Sequence, residues 1–184
     1  GGDTDTVGAI VGALAGATTS ESYVDTGWAT NLGNGNWTIA FWHSSLGSVS
    51  STVHYLFGDG GAGVFRGFTG GVAGGQGLIL RGPLTDVLIS NLSLTENNHV
   101  AFVYDSSAGN VKGYLNGVLN TTVNQGALNL NGTGFLVGNY QSSQQGLASG
   151  RWMDEFMVFG RALSASEVND AMNMNVVPEP ATMS

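Results

Sequence analysis

Paired carboxylates are the side chains in this sequence that could hydrolyse a glycosidic bond. Retaining glycosidases hold two such groups about 5 Å apart on one face of the protein. Asp154 and Glu155 are adjacent in sequence, and neighbouring residues of a strand point to opposite faces. The other acidic residues of the central region each stand in a separate segment: Asp59, Asp86, Glu96 and Asp105. We therefore expect no glycosidase pair.

Other catalytic chemistry lacks a supporting motif as well. His43, His54 and His99 are scattered without an acidic partner at motif spacing. His99 begins a strand, where a packed, hydrogen-bonded imidazole is favoured over a catalytic one. The Gly-rich run 58–77 lacks the Gly-Lys-Ser/Thr of a phosphate-binding loop, and no serine elbow is present. The sequence predicts that the protein is not an enzyme.

Ligand binding through loops is the more open possibility. A sugar site combines an aromatic ring with a few polar groups. Tyr140 lies in a polar loop and is predicted to be exposed, while Asp59 and Arg66 flank a long hairpin. These three residues are the candidate ligand contacts, with ordinary loop residues as the alternative. Trp37 and Trp42 fall in strand alternation and are assigned to the core.

Composition excludes several partners. The chain has 184 residues with a formal net charge of −8 and five basic residues, which leaves no electrostatic footprint for nucleic acid or an anionic membrane. It contains no cysteine, so disulfides, thiolate metal sites and a cysteine nucleophile are excluded. No apolar run reaches the length of a membrane span.

The first twenty residues differ in kind from the rest. They are rich in Gly and Ala and lack the initiator Met and basic region of an intact signal peptide. A flexible tail, a first strand, or a segment docked on a neighbouring molecule are the alternatives. In the last case the contacts between subunits would come from the apolar residues Val7, Ile10, Val11 and Leu14. We divide the chain into this segment (1–20), a main domain (21–172) and a tail (173–184).

The main domain reads as a series of short strands separated by Gly, Asn, Ser and Asp. Asn116-Gly117 has the composition of a type I′ hairpin turn. No long helical pattern interrupts the series. The sequence predicts an all-β fold, a two-sheet antiparallel β-sandwich (jelly roll) with a short helical turn near the C-terminus. The strand-like runs lie at 37–43, 55–57, 64–68, 77–81, 87–90, 99–104, 111–115, 118–123 and 135–137.

A closing strand follows over residues 153–159. Its residues alternate, with Met153, Glu155, Met157 and Phe159 on one face and Asp154, Phe156 and Val158 on the other. Ser164-x-x-Glu167 then has the form of a capping box, which predicts the start of the helical turn.

Three of these segments, in this order, resemble the LamG-like branch of the concanavalin A-like lectin/glucanase superfamily. They are Tyr23–Gly27 with Asn31–Trp42, then Asn98–Asp105 with Tyr114–Gly117, and the closing strand with Arg161-Ala-Leu-Ser164. The resemblance covers residues 21–172 and implies a β-sandwich used mostly for recognition. It also implies one structural calcium on Asp154, with Glu21 or Asp25 as partner. The alternative is that Asp154 bonds to nearby backbone.

The sequence Val177-Pro-Glu-Pro180 is similar to the opening of PEP-CTERM sorting tails of Gram-negative bacteria. That similarity implies export and a place on the cell surface or in a biofilm matrix.

Two functions from different classes follow. The first is a non-catalytic extracellular domain for recognition or adhesion, which binds a glycan or a surface protein. The second is a structural subunit that assembles with copies of itself into a filament or layer through its N-terminal segment, since an exposed sheet edge can accept a strand from a neighbour.

Overall fold

The structure is a computed structural model. It describes residues 8–10, 14–15, 24–28, 32, 35–61, 64–71, 76–130, 132, 134–141 and 144–173, and for the segments before residue 32 only the backbone is considered. Val7, Val11, Glu21 and the PEP-CTERM-like residues 177–180 lie outside the described residues.

The described residues form two antiparallel sheets and one helix, which confirms the predicted sandwich. The bounds are β1 Gly8–Ile10, β2 Leu14–Ala15, β3 Val24–Trp28, β4 Trp37–His43, β5 His54–Asp59, β6 Phe65–Thr69, β7 Gly77–Gly82, β8 Leu84–Ser90, β9 Asn98–Asp105, β10 Asn110–Leu115, β11 Val118–Asn124, β12 Phe135–Val137, β13 Trp152–Phe159 and α1 Ala165–Met172. One sheet has seven strands in the order β1-β13-β4-β9-β10-β11, with β2 also on β13, and the other has six in the order β3-β12-β5-β6-β7-β8.

The core between the sheets is built by alternate residues of each strand. Trp37, Ile39 and Phe41 of β4 point inward and are fully buried, as their alternation predicts. A set of phenylalanine rings fills the centre, with centroids 5.4 Å apart for Phe57 and Phe156 and 5.5 Å apart for Phe41 and Phe156. Such contacts between rings stabilise the core beyond their burial of apolar area.

Helix α1 covers the outer face of the seven-stranded sheet. Ser164 accepts the N–H of Glu167, and the Glu167 carboxylate accepts the N–H of Ser164, so the predicted capping box is present. The helix has eight residues and is longer than the single turn expected. Val168 and Ala171 pack on Ala40 of β4 and complete a second buried cluster.

The closing strand β13 contains a bulge that breaks its predicted alternation. Asp154 pairs with Trp42, whereas Met157 pairs with Ala40, so β13 has one more residue than β4 between these pairs. Glu155 takes the left-handed conformation with a φ of 51°. Met153 and Phe156 consequently both reach the interior. The predicted facing is therefore wrong for Met153 and Asp154, because alternation assumes a strand without an extra residue. After the bulge it is correct, since Met157 and Phe159 lie on the face opposite Phe156 and Val158.

Side-chain amides close one side of the sandwich, where the edge strands β11 and β8 meet. Asn120 is the extra residue of a second bulge, between the pairs Gly113–Thr121 and Tyr114–Leu119. Its amide accepts the backbone N–H of Ser90 at 3.0 Å and donates to the carbonyl of the same residue at 3.1 Å.

Gln125, which follows β11, bonds in the same way to the N–H and the carbonyl of Thr85, both at 2.8 Å. We call Asn120 and Gln125 the amide brackets. They satisfy backbone groups that an exposed edge strand would otherwise leave open.

The first described residues belong to the same sheet as the rest of the domain. Ile10 of β1 pairs with Phe156 of β13, and Leu14 of β2 pairs with Met153. Among the alternatives for the N-terminal segment, the structure thus shows an edge strand paired within its own chain. The three-part division at 1–20, 21–172 and 173–184 stays a prediction.

Candidate functional site

The predicted ligand residues meet at the end of the β5–β6 hairpin. Gly58 of β5 pairs with Arg66 of β6. A Cβ atom at Gly58 would lie 2.7 Å from the Cβ of Tyr140 and 2.2 Å from the carbonyl oxygen of Phe65. Only glycine therefore lets the loop that carries Tyr140 lie directly against the hairpin.

Asp59 joins the loops beneath this site. Its side chain is 1 % exposed, and the carboxylate accepts the N–H of Gly61 at 2.7 Å and that of Gly134 at 3.0 Å. The carboxylate thus fixes the position of two loops relative to each other. Direct contact between Asp59 and a ligand stays a prediction.

Two arginines and three aromatic rings form a closed group on the outer face of the six-stranded sheet, which we call the arginine–aromatic cluster. Phe65 and Leu80 belong to the interior, so their strand neighbours Arg66 and Arg81 point outward. The members of the cluster are Tyr55, Arg66, Phe68, Arg81 and Tyr140.

Each member of the cluster contacts the next. The Arg66 guanidinium carbon lies 5.4 Å from the centre of the Tyr140 ring, and that ring meets Tyr55 edge-on at 4.5 Å. Tyr55 contacts Phe68 at 5.8 Å, and the Arg81 guanidinium lies 5.2 Å from the centre of the Phe68 ring. Arg66 and Arg81 are partners across β6 and β7, which closes the group. Contacts between guanidinium groups and ring faces stabilise the arginine positions.

The two arginines and Tyr55, and not the rings of Tyr140 and Phe68, reach the surface of the cluster. Tyr140 is 8 % exposed and Phe68 is 3 % exposed, whereas Arg66 and Arg81 are half-buried. The expectation that Tyr140 is an exposed loop ring is therefore wrong, because the ring packs between Arg66 and Tyr55. Burial, and then the Tyr55 hydroxyl, raise the pKa of Tyr140, while the Arg66 charge opposes this shift.

The two arginines differ in their partners. Arg81 forms an ion pair with both carboxylate oxygens of Asp86, and this hydrogen bond raises the pKa of Arg81. Arg66 donates from Nη1 to the carbonyl of Val64 at 2.6 Å, and its buried Nε has no hydrogen-bond partner among the described residues. No carboxylate of the described residues pairs with Arg66. The site therefore offers one paired guanidinium and one that lacks an anionic partner.

Sequence reasoning missed Tyr55, Phe68, Arg81 and Asp86. Arg66 and Arg81 are two of the five basic residues of the chain, and each is two positions from an apolar residue of the same strand face. That spacing was visible in the sequence. The pairing of β6 with β7, which brings the arginines together, was not.

The proposed calcium ligand Asp154 lies on the outer side of β13. Its Oδ1 accepts the N–H of Glu155 at 2.8 Å, which is the alternative role named above. In the part of the chain that the structure describes, no three acidic or histidine side chains converge on a metal position. The structure describes Asp25 by its backbone alone, so calcium stays a prediction.

The bulge also changes the relation between Asp154 and Glu155. Both residues lie between the inward-facing Met153 and Phe156, so the expectation that they point to opposite faces is wrong. Partial burial, and then the charge of Asp154, raise the pKa of Glu155, while a hydrogen bond from Trp42 lowers it. The bulge thus brings the two carboxylates near enough for the charge of one to act on the other, which sequence alternation does not reveal.

His99 lies across Trp42 from Asp154 and is packed, as predicted. It is 0 % exposed, its ring meets Trp42 edge-on at 5.3 Å, and neither ring nitrogen has a hydrogen-bond partner within the described part of the chain. Desolvation lowers the pKa of His99 to about 4, so the ring is neutral at neutral pH. The expectation that the His99 ring is hydrogen-bonded is therefore wrong for the described residues.

The N-terminal residues proposed for self-assembly are only partly described. Ile10 and Leu14 lie in strands that pair with β13 of the same chain. A role of these residues in contacts between subunits stays a prediction. Among the described residues, no helix is long and apolar enough to cross a bilayer.

Two antiparallel sheets packed face to face form the architecture of many lectin domains. A family model described as the concanavalin A-like lectin/glucanases superfamily matches residues 18–169. The chain belongs to that superfamily. No curated protein sequence matches the chain.

Solved structures with a similar fold include binding domains of botulinum neurotoxins. One is from a study of botulinum neurotoxin type C entering cells through two ganglioside molecules, with 13 % identity, a TM-score of 0.65, and coverage of 92 % of this chain and 46 % of that one. The binding domain of neurotoxin DC in complex with SialylT has 14 % identity, a TM-score of 0.65, and coverage of 92 % and 46 %.

The DC binding domain in complex with rat synaptotagmin II has 13 % identity, a TM-score of 0.59, and coverage of 77 % and 36 %. The chain spans less than half the length of each of these domains. At this identity the likeness shows a shared fold.

Proposed function

We propose that the chain is a non-catalytic recognition domain that binds a glycan at the arginine–aromatic cluster. The observation that carries this proposal is the cluster itself, in which two cationic side chains are held on buried aromatic rings at the outer face of a sheet. A rigid sheet face with oriented polar groups can bind an extended ligand without losing much side-chain and loop entropy on binding. We place this function outside a bacterial cell, on the surface or in a matrix, as the similarity of residues 177–180 implies.

The comparisons support a binding role without assigning a ligand. The similar neurotoxin domains are described with gangliosides, SialylT or synaptotagmin. A glycan or a surface protein is therefore the class of partner we expect for this fold.

A glycan array followed by titration calorimetry tests the proposal. We expect binding that is lost when Arg66 and Arg81 are both replaced by glutamine. Lys112→Gln is a suitable control, because Lys112 is also a basic residue in the middle of a strand but lies on the other sheet. Absence of binding across a broad panel, with and without calcium, would contradict the proposal.

The non-catalytic part has its own test because Asp154 and Glu155 lie close together. We expect no release of reducing ends from any glycan that the domain binds. Release that disappears in Glu155→Gln would show that the domain is a hydrolase.

A second candidate function is a self-assembling subunit. The observation that favours it is the placement of β1 and β2 as terminal strands at the edge formed by β13. A terminal edge strand can pair with β13 of a neighbouring copy instead of its own, and head-to-tail exchange of this kind builds filaments. Electron microscopy of the purified protein would distinguish filaments from dispersed domains.

A further inference from the structure

We propose that the ligand of the arginine–aromatic cluster is a carboxylate-bearing sugar, with its carboxylate bound by Arg66, and that Asp86 competes with this carboxylate at Arg81. This inference rests on the proposed glycan-binding function and narrows its ligand class. It follows from the charges and hydrogen bonds of the cluster.

The first argument is the local charge. The chain carries a net charge of −8 with five basic residues, yet Arg66 and Arg81 are direct cross-strand partners. Like charges in that position destabilise a sheet pair. Asp86 offsets one of the two charges, since it pairs with Arg81. No carboxylate in the described part of the chain pairs with Arg66, so a ligand can offset its charge.

The second argument is what the cluster presents to a ligand. The faces of Tyr140 and Phe68 lie under guanidinium groups and are almost fully buried. A neutral sugar binds chiefly by packing its ring on an open aromatic face, and of the three rings of the cluster only Tyr55 is not almost fully buried. An anionic ligand instead gains charge-assisted hydrogen bonds to the exposed guanidinium groups. The cluster therefore favours an acidic sugar over a neutral one.

The third argument is the geometry that Asp86 adopts. Its carboxylate meets Arg81 through both oxygens, with Nε at 2.9 and 3.0 Å. A planar carboxylate thus fits a guanidinium that lies on an aromatic ring at this face. Arg66 also lies on a ring, but its Nε is buried and its Nη1 donates to the carbonyl of Val64. We infer that a carboxylate from the ligand binds Arg66 through its terminal nitrogens, and not through Nε as Asp86 binds Arg81.

The test compares three oligosaccharides of equal length by calorimetry: a uronic acid oligomer, its methyl ester and a sulfated oligomer. We expect the acid to bind about tenfold to a hundredfold more tightly than the ester, the range for hydrogen bonds to a charged group. Arg66→Gln should abolish this preference, and Lys112→Gln should keep it. Asp86→Asn should increase affinity for the acid, because it frees the second guanidinium.

Each other outcome is decisive. Equal binding of acid and ester overturns the carboxylate assignment but leaves glycan recognition intact. If the sulfated oligomer binds more tightly than the uronic acid oligomer, the ligand group is a different anion and the carboxylate assignment is overturned. If Asp86→Asn binds the acid with unchanged or lower affinity, Asp86 does not compete with the ligand carboxylate at Arg81. If no glycan binds at all, the proposed function itself fails. Should Arg66→Gln not fold, the preference of the wild-type protein for acid over ester still decides the question.

Discussion

Replacing His99 with leucine tests the electrostatics of the outer face of the seven-stranded sheet. In the folded protein the ring is fully buried, its two nitrogens have no hydrogen-bond partner among the residues that the structure describes, and its pKa is lowered from 6.5 to about 4. In the unfolded chain the same imidazole titrates near its ordinary value. As the pH falls from 6.5 towards 4, the unfolded chain therefore takes up a proton that the folded protein does not. Stability is present in full above this window and decreases within it.

The size of the effect follows from the two pKa values. A histidine that shifts from 6.5 to about 4 on folding removes about 2 kcal/mol from the free energy of unfolding between about pH 7 and about pH 5. Leucine fills a similar volume and cannot titrate. We therefore expect His99→Leu to lose about 2 kcal/mol less than the wild type over the same interval.

Urea denaturation at several pH values measures this difference. The comparison uses the change with pH within each protein, so an effect of leucine on packing cancels. His43→Leu is a matched second variant, since His43 is 2 % exposed and burial lowers its pKa to about 4 as well. If wild type and His99→Leu lose equal stability between neutral and mildly acidic pH, His99 is not a buried neutral residue and the reasoning is refuted.

Four further outcomes are expected. Ser164→Ala removes the N-cap of α1 and should lower the free energy of unfolding by about 1 kcal/mol in urea denaturation, with rescue by threonine. Asn120→Ala removes two hydrogen bonds to Ser90 and should cost about 1–2 kcal/mol, whereas Asn124→Ala, an exposed amide of the same strand, should cost almost nothing. A chain that lacks residues 1–20 should bind a synthetic peptide of that sequence in calorimetry, because the edge of β13 is then open; no binding would mean that β1 and β2 contribute little. Calcium should raise the melting temperature of the wild type but not of Asp154→Asn, and an equal response of both proteins would exclude the predicted site.

Features set by a few neighbouring residues could be predicted from the sequence. Asn116-Gly117 forms the expected hairpin turn, with φ of 49° and 76°. The serine at the start of α1 caps it because cap geometry depends only on residues within one turn. The alternation of β4 was also correct, since no extra residue interrupts that strand.

Features set by pairing between distant strands could not be predicted in the same way. The bulge at Glu155 depends on how β4 lies against β13, and it placed Met153 and Asp154 on the faces opposite to those predicted. Tyr140 was expected to be exposed because its loop is polar, yet Gly58 lets the ring pack on β5. The arginine–aromatic cluster takes residues from three strands and one loop, so it exists only after the register of the sheet is fixed.

The pairing of β1 with β13 also has a mechanical consequence. Because the strands are antiparallel, Gly8 at the start of β1 lies beside Val158 near the end of β13. A pulling force applied through the chain before β1 and after β13 therefore acts at the same end of the pair. Hydrogen bonds of an antiparallel pair lie perpendicular to the strands, so this load breaks them one after another and not all together. Under tension β1 separates from β13 before the strands of the interior carry the load, and the domain lengthens while its core stays folded.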